Sequence, residues 1–394
     1  MTPGARVAAA IGVLDDILHG APAERALTGW ARGSRFAGSK DRAAVRDHVF
    51  DVLRAKRSLA ARGGAMTGRA LMLALAMRDG LDIAALFHGE GHAPQPMSDA
   101  ERDHLATSPA MTLAEAHDIP EWLWPLWLDS LGDNAQTAAA AQQTRADVYL
   151  RVNRTRGTVT DAIATLAADD ITAVAHPSVP FCLRVTGNTR RIKNAGAYVD
   201  GLVELQDAAS QFAVSAVPVP PGGRILDYCA GGGGKALAFA DQHGAQVFAH
   251  DIAPRRMKDL PVRAARAQVH VAQLQTAVLP QAPLFDVVFC DAPCSGSGTW
   301  RRTPDAKWRL TVDDLAALHD TQDQVISAAA RLVGASGMLV YATCSVLEHE
   351  NDAVVARFRA AHSGWRVVAT HHLLPGPDWD GFFMCCMACD EINL

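Results

Sequence analysis

Arg224-Ile-Leu-Asp-Tyr-Cys-Ala-Gly-Gly-Gly-Gly-Lys235 is the stretch on which the reading of the fold turns. Its apolar start reads as a buried strand, its glycines as a tight turn, and the residues from Lys235 onward as a helix. In open α/β sheets a strand leading through such a turn into a helix N-terminus lies at the ligand-binding edge. Gly231, Gly233 and Ala236 formally satisfy G-x-G-x-x-A, a weak signal by itself. An ordinary tight strand-to-helix turn would leave one neighbour unexplained: Asp251 ends the next apolar run, where a carboxylate can hydrogen-bond a ribose diol. A phosphate-cradling P-loop does not fit, because Ala follows Lys235 and Cys229 holds the first glycine position.

Working outward, the chain from about 206 alternates strand-like and helix-like segments, with strands near 224–228, 246–250, 285–290 and 337–343. That pattern predicts a doubly wound parallel sheet. Residues 147–205 read as a small α+β segment, with strands at 148–153 and 181–185 and a helix at 159–168. Residues 1 to about 90 read as helical. Val7, Ile11, Leu14 and Leu18 share one helical face, as do Val45, Val49 and Leu53, with Ser39 as the expected N-cap. Residues 88–100 form a polar loop by composition, in which His88 and His92 lack further metal-ligating neighbours. Trp122, Trp124 and Trp127 could stack on bases, but such a cluster more often packs one domain on another.

The 394 residues suffice for two or three domains, and 49% hydrophobic content allows sizeable cores. No apolar run reaches the length of a membrane span, and the first residues lack a signal-peptide layout, so a cytoplasmic protein is expected. The eight cysteines do not form a disulfide framework and fit a reducing compartment. Net charge is −5, yet residues 1–70 hold 12 Lys/Arg against 6 Asp/Glu. A basic end on an acidic chain points to a polyanion-binding module.

Two cysteine tripeptides carry the chemistry. Pro293-Cys294-Ser295 and Thr343-Cys344-Ser345 each follow a strand-like run, Phe285–Asp291 and Met338–Ala342. Both thiols are thereby expected at the same sheet edge as the glycine loop. Dinucleotides and S-adenosylmethionine both present a ribose to Asp251, but a dehydrogenase has no use for Asp291-Ala-Pro-Cys294. A cytosine-modifying methyltransferase does. Carbon 5 of cytosine is a poor nucleophile until a thiolate adds to carbon 6, and Asp291 is placed to assist at N3 as charge builds on the ring. Cys182, Cys229 and Cys290 read as buried packing residues. The run Cys385-Cys-Met-Ala-Cys389 lacks a second pair for a zinc site and reads as a last buried strand.

From about 147 onward the chain resembles the RsmB/NSUN family of RNA cytosine-5 methyltransferases. The matching motifs are Leu150–Asn153, Gly201–Gln211, Asp227–Lys235, Asp291–Gly298, Arg301–Trp308, Tyr341–Ser345 followed by Glu348–Asn351, and Asp380–Phe383. Residues 1–70 resemble the NusB-type helical RNA-binding domain of bacterial members, through Asp41-Arg42 and Val52-Leu-Arg54.

The resemblance implies an α/β fold with a Rossmann-like methyltransferase domain over 206–394. It implies a small α+β lead-in over 141–205 and an all-helical NusB-like domain with linker over 1–140. The activity it implies is transfer of a methyl group from S-adenosylmethionine to carbon 5 of a cytosine in structured RNA, ribosomal rather than transfer RNA. It implies Cys344 as nucleophile, Cys294 as the residue assisting product release, and catalytic support from Asp291 and Lys235. The cofactor would be held by Cys229, Ala230, Gly231, Gly232, Gly233, Gly234, Lys235, Asp251, Arg256 and Asp291. A monomer without metal or membrane association is expected.

Two departures stand out. Gly231 and Gly232 replace the family's Ala-Pro. An acid expected to hold the adenine amino group is missing from Ala272–Pro280, where Gln275 is the expected substitute because its amide oxygen accepts the same hydrogen bond. Two rival readings are an RNA-binding assembly factor without turnover and a nicotinamide-dependent oxidoreductase.

Overall fold

The computed structural model describes residues 1–107, 109–241 and 245–389. Residues 1–145 and 300–310 form one unit, and residues 146–299 with the described part of 311–394 form the other. The first unit is helical. Its principal helices are α1 (Pro3–Leu18), α2 (Ala23–Gly33), α3 (Ser39–Arg54), α4 (Lys56–Gly63) and α5 (Gly68–Arg78). The one-face spacing is realised: Val7 and Leu14 of α1 and Val45, Val49 and Leu53 of α3 are buried in one core. α5 is apolar all round because it runs through that core, with every residue from Gly68 to Ala76 except Arg69 buried. Ser39, expected as the cap of α3, is instead its first residue. Gly38 occupies the cap, and the Asp41 carboxylate accepts the Gly38 N–H at 3.1 Å, satisfying a free helix-end donor.

Residues 300–310, expected within the methyltransferase domain, belong to the helical unit. Trp300 stacks on Trp127 with ring centroids 5.9 Å apart, and both are fully buried. The Arg54 guanidinium donates to the Arg301 carbonyl at 2.7 Å, and the Trp308 indole donates to the Leu53 carbonyl at 2.6 Å. Trp127 is thus a core residue of this unit, not a stacking platform. Lys307 is buried there too, and burial pulls its ammonium pKa down to about 8 against the pull of Asp118.

The second unit holds two sheets. β1 (Val148–Val152), β2 (Thr172–Ala175), β3 (Cys182–Gly187) and β4 (Val203–Leu205) form an antiparallel sheet in the order β2-β3-β1-β4. The helix Val159–Ala168 follows β1, so the segment is a βαββαβ lead-in. A seven-stranded sheet follows, with β5 (Arg224–Asp227), β6 (Gln246–Ala249), β7 (Val271–Gln273), β8 (Phe285–Asp291), β9 (Val333–Thr343), β10 (Trp365–Leu373) and β11 (Phe382–Cys389). Its order is β10-β11-β9-β8-β5-β6-β7. β5 to β9 run parallel, β11 pairs antiparallel with β9, and β10 pairs antiparallel with β11 and so runs in the direction of β5 to β9. β8 is buried at five of its seven positions because helices cover both sheet faces. Strand order reverses beside β5, which makes the carboxyl ends of β5, β6 and β8 the ligand edge.

The lead-in is locked to this sheet by a buried ion pair. The Arg151 guanidinium of β1 donates to Asp241 at 2.7 Å, with both side chains almost inaccessible. Burial raises the Asp241 carboxyl to about 6, partly countered by Arg151. Removing one partner of such a pair costs about 3–5 kcal/mol. Among the described residues no helix is long and apolar enough to cross a membrane.

Candidate active site

Asp227 ends β5, and the chain then turns through Tyr228–Gly233 into the helix Gly234–Ala240. Gly233 caps that helix with φ +77°, and a Cβ there would lie 2.4 Å from the Leu260 side chain, so only glycine fits. Gly231 also has a positive φ of +52°. The loop is held from below: the Ala236 N–H bonds to Asp227 at 2.9 Å, and the Gly231 N–H bonds to Asp251 at 2.9 Å. Arg263 donates to the Gly232 carbonyl.

Asp251 follows β6 and is 2% exposed. Its second oxygen accepts the Ala253 N–H at 2.9 Å, and Arg256 lies 3.0 Å from the first. Ile252 beside it is 77% exposed, an apolar side chain that nothing in the sequence pattern marks. Gln275 is exposed just after β7, at the same end of the sheet, and caps the 3-10 turn Thr276–Gln281.

Asp291 ends β8. The Lys235 ammonium donates to it at 2.7 Å. Burial works against that ammonium, but Asp291 more than offsets it and holds the Lys235 pKa above its ordinary value. Asp227, to which the motif alone assigns no role, is fully enclosed, and burial raises its carboxyl to about 7 despite Lys235. One Asp227 oxygen is buried without a hydrogen-bond partner.

The two expected thiols meet. Cys294 Sγ and Cys344 Sγ are 3.5 Å apart, within hydrogen-bonding reach for sulfur. The bond from Cys294 holds the Cys344 thiol below the usual cysteine value, and Lys235 acts in the same sense against burial and Asp291. The same bond, with burial, pushes Cys294 well above it. Electrostatics therefore distinguishes the two cysteines: Cys344 is the more easily deprotonated of the pair.

What holds both cysteine loops is Glu350, fully buried. It accepts the Ser295 N–H at 2.8 Å, the Gln322 amide at 2.9 Å, and the Ser295 and Ser345 hydroxyls. Asn351 adds a bond to the Ser345 carbonyl at 3.0 Å and accepts from Thr343 at 2.6 Å. The sequence signal was present in Glu348–Asn351, but which acid turns inward was not readable. Glu350→Ala is expected to strand several buried donors at about 1–3 kcal/mol each, lowering the melting temperature and methyl transfer together. Calorimetry showing a native transition would contradict this.

Loop, carboxylates and thiols thus converge on the carboxyl edge of the parallel strands of one sheet, and together they define a protein with a Rossmann-like methyltransferase fold. Residues 216–377 match the family described as 16S rRNA methyltransferase RsmB/F. Residues 119–191 match the ferredoxin-like domain of RsmF/B-like methyltransferases. Ribosomal RNA small subunit methyltransferase B of Sodalis glossinidius is 32% identical over 324 residues, covering 78% of this chain and 72% of that protein. The chain belongs to the 16S rRNA methyltransferase RsmB/F family. A second relative, "Probable ribosomal RNA small subunit methyltransferase B" of Synechocystis sp., is 31% identical over 265 residues, or 65% of this chain and 59% of that protein's length. The crystal structure of PH0851 shares the fold over 98% of this chain and 99% of its own, with TM-score 0.75 and 22% identity. A methyltransferase homologue from Pyrococcus horikoshii shares it over 70% of this chain and 97% of its own, with TM-score 0.62 and 20% identity. Family membership leaves the oxidoreductase reading without support.

Proposed function

We propose that this chain methylates carbon 5 of a cytosine in ribosomal RNA, with Cys344 as the covalent nucleophile. The observation that carries the reading is the asymmetric thiol pair, 3.5 Å apart at the edge that also bears the glycine loop. The cytosine must leave its stack to reach these groups. The Cys344 thiolate then adds to carbon 6, and the ring electrons move toward carbon 5. The Lys235–Asp291 pair supplies a hydrogen bond at N3 as negative charge builds there. After carbon 5 is alkylated it loses its proton to a base, the carbon 6–sulfur bond breaks, and the electron pair returns to Cys344. Cys294 serves this elimination step.

The residues present fit S-adenosylmethionine. Gly231 and Gly233 give the loop its two positive-φ turns, Asp251 offers a carboxylate for ribose hydroxyls, and Asp227 holds an unsatisfied buried oxygen at the same strand end. Gly231, Gly232, Gly234, Cys229, Ala230, Arg256 and Gln275 complete the proposed pocket, and Ile252 offers an apolar surface for a flat base. When bound, the cofactor supplies an electrophilic methyl group. The helical unit is assigned to RNA contact, and the cytoplasm is the proposed compartment.

Asp251→Ala is expected to weaken S-adenosylmethionine binding by about 1.5–3 kcal/mol, the scale of hydrogen bonds to a charged group. Asp251→Asn, which keeps an acceptor for the Gly231 N–H, should lose less. Titration calorimetry finding equal affinity in all three proteins would remove Asp251 from the pocket. No cofactor binding by the native chain would favour the assembly-factor reading.

A further inference from the structure

The helical unit carries a groove of about 490 Å³ on α2 and α3. Trp30, Arg32, Arg35, Arg42, Arg46 and Glu24 are among its lining residues. Glu24 is the one acid there and is engaged by Arg46 through two hydrogen bonds of 2.7 and 2.5 Å. Arg42 is tied by one bond to the Ala37 carbonyl at 3.0 Å. Arg32 and Arg35 are exposed, and no ion pair or hydrogen bond engages either guanidinium among the described residues. Next to Arg35, Phe36 is 76% exposed, and no other Phe, Tyr or Trp among the described residues is classed as exposed. A solitary exposed apolar side chain ordinarily means little. This one sits in the turn Ser34–Gly38, between the arginines of α2 and those of α3, with Trp30 half-buried in the groove.

We propose that this groove binds a single-stranded segment of RNA, in addition to the target cytosine; the proposal rests on the reading of the chain as an RNA methyltransferase. Free guanidinium forks pair with phosphate oxygens in bidentate fashion. An exposed phenyl ring beside them offers a face for an unpaired base, which a duplex keeps stacked away. An acidic protein would satisfy the arginines but would leave Phe36 without a role.

The test measures fluorescence anisotropy of labelled RNA, about 12 nucleotides long and either single-stranded or duplex, with the full chain across a salt series. Phe36→Ala is expected to lower single-strand affinity by about 5- to 150-fold, the range for removing a base-stacking aromatic, and to leave duplex affinity unchanged. The double variant Arg32→Gln/Arg35→Gln should reduce the slope of log K against log salt by about 1.4, or 0.7 for each single-strand phosphate released. All three side chains are exposed, so folding is not at stake. Native single-strand affinity and slope in both variants would overturn the proposal. So would loss of binding to an oligoglutamate peptide with RNA binding intact. Formation of a Cys344–RNA adduct is followed in parallel. Adduct formation with an idle groove defeats the groove alone. A working groove with no adduct defeats the catalytic reading alone.

Discussion

Cys344→Ala is expected to abolish methyl transfer, by on the order of 10⁴-fold or more, because it deletes the covalent route rather than weakening it. The side chain packs beside Cys294 and within 4.0 Å of the Thr299 hydroxyl, so truncation removes one sulfur and leaves the Glu350 network in place. The variant should keep its melting temperature and its cofactor affinity. Quantifying 5-methylcytidine in substrate RNA after incubation checks this. Cys344→Ser is expected to fail as well, since a hydroxyl at neutral pH supplies almost no anion.

Cys294→Ala should behave in the opposite way. It retains the nucleophile, so attack and methylation proceed, but elimination is slowed and protein accumulates covalently joined to RNA. The adduct should survive denaturing electrophoresis and disappear on RNase treatment. The double variant should form none, since attack precedes release. A pH signature accompanies this. In the native site the Cys294 hydrogen bond lowers the Cys344 pKa, so removing that donor raises it. The rate of adduct formation in Cys294→Ala should therefore rise with pH over a more alkaline range than the native first turnover. Coincident profiles would show that the sulfur–sulfur bond does not tune the nucleophile.

Much of this was legible because the central strands are continuous apolar runs ending in chemistry. β5, β6, β8 and β9 announce themselves through Ile225-Leu226, Val247-Phe248, Phe285–Cys290 and Met338–Ala342, since strands covered on both faces need no polar alternation. β7 and β10 were not legible. β7 has three residues, and β10 is an edge strand whose Arg366, Thr370 and His372 dilute its apolar pattern. The segment Trp300–Leu310 was read with its sequence neighbours, yet it completes the helical core, a long-range placement that periodicity does not carry. At the site, strand ends located Asp251, Asp291, Cys294 and Cys344. Glu350 escaped because a Glu-His-Glu run looks like a solvated helix start, and only tertiary structure turns one of its acids inward. Asp227 escaped because its proximity to Lys235 and Asp291 is a property of the sheet, not of spacing.

The proposed mechanism requires that Cys344 bond to carbon 6 of a cytosine while carbon 5 receives the methyl group. Digesting the Cys294→Ala adduct with protease and nuclease, and sequencing the cross-linked peptide by mass spectrometry, tests it most directly. One peptide containing Cys344 is expected, linked through sulfur to a cytidine that carries one added methyl group on carbon 5. A linkage through any other residue, a methyl group on the exocyclic nitrogen or the ribose, or full turnover with no adduct in this variant would contradict it.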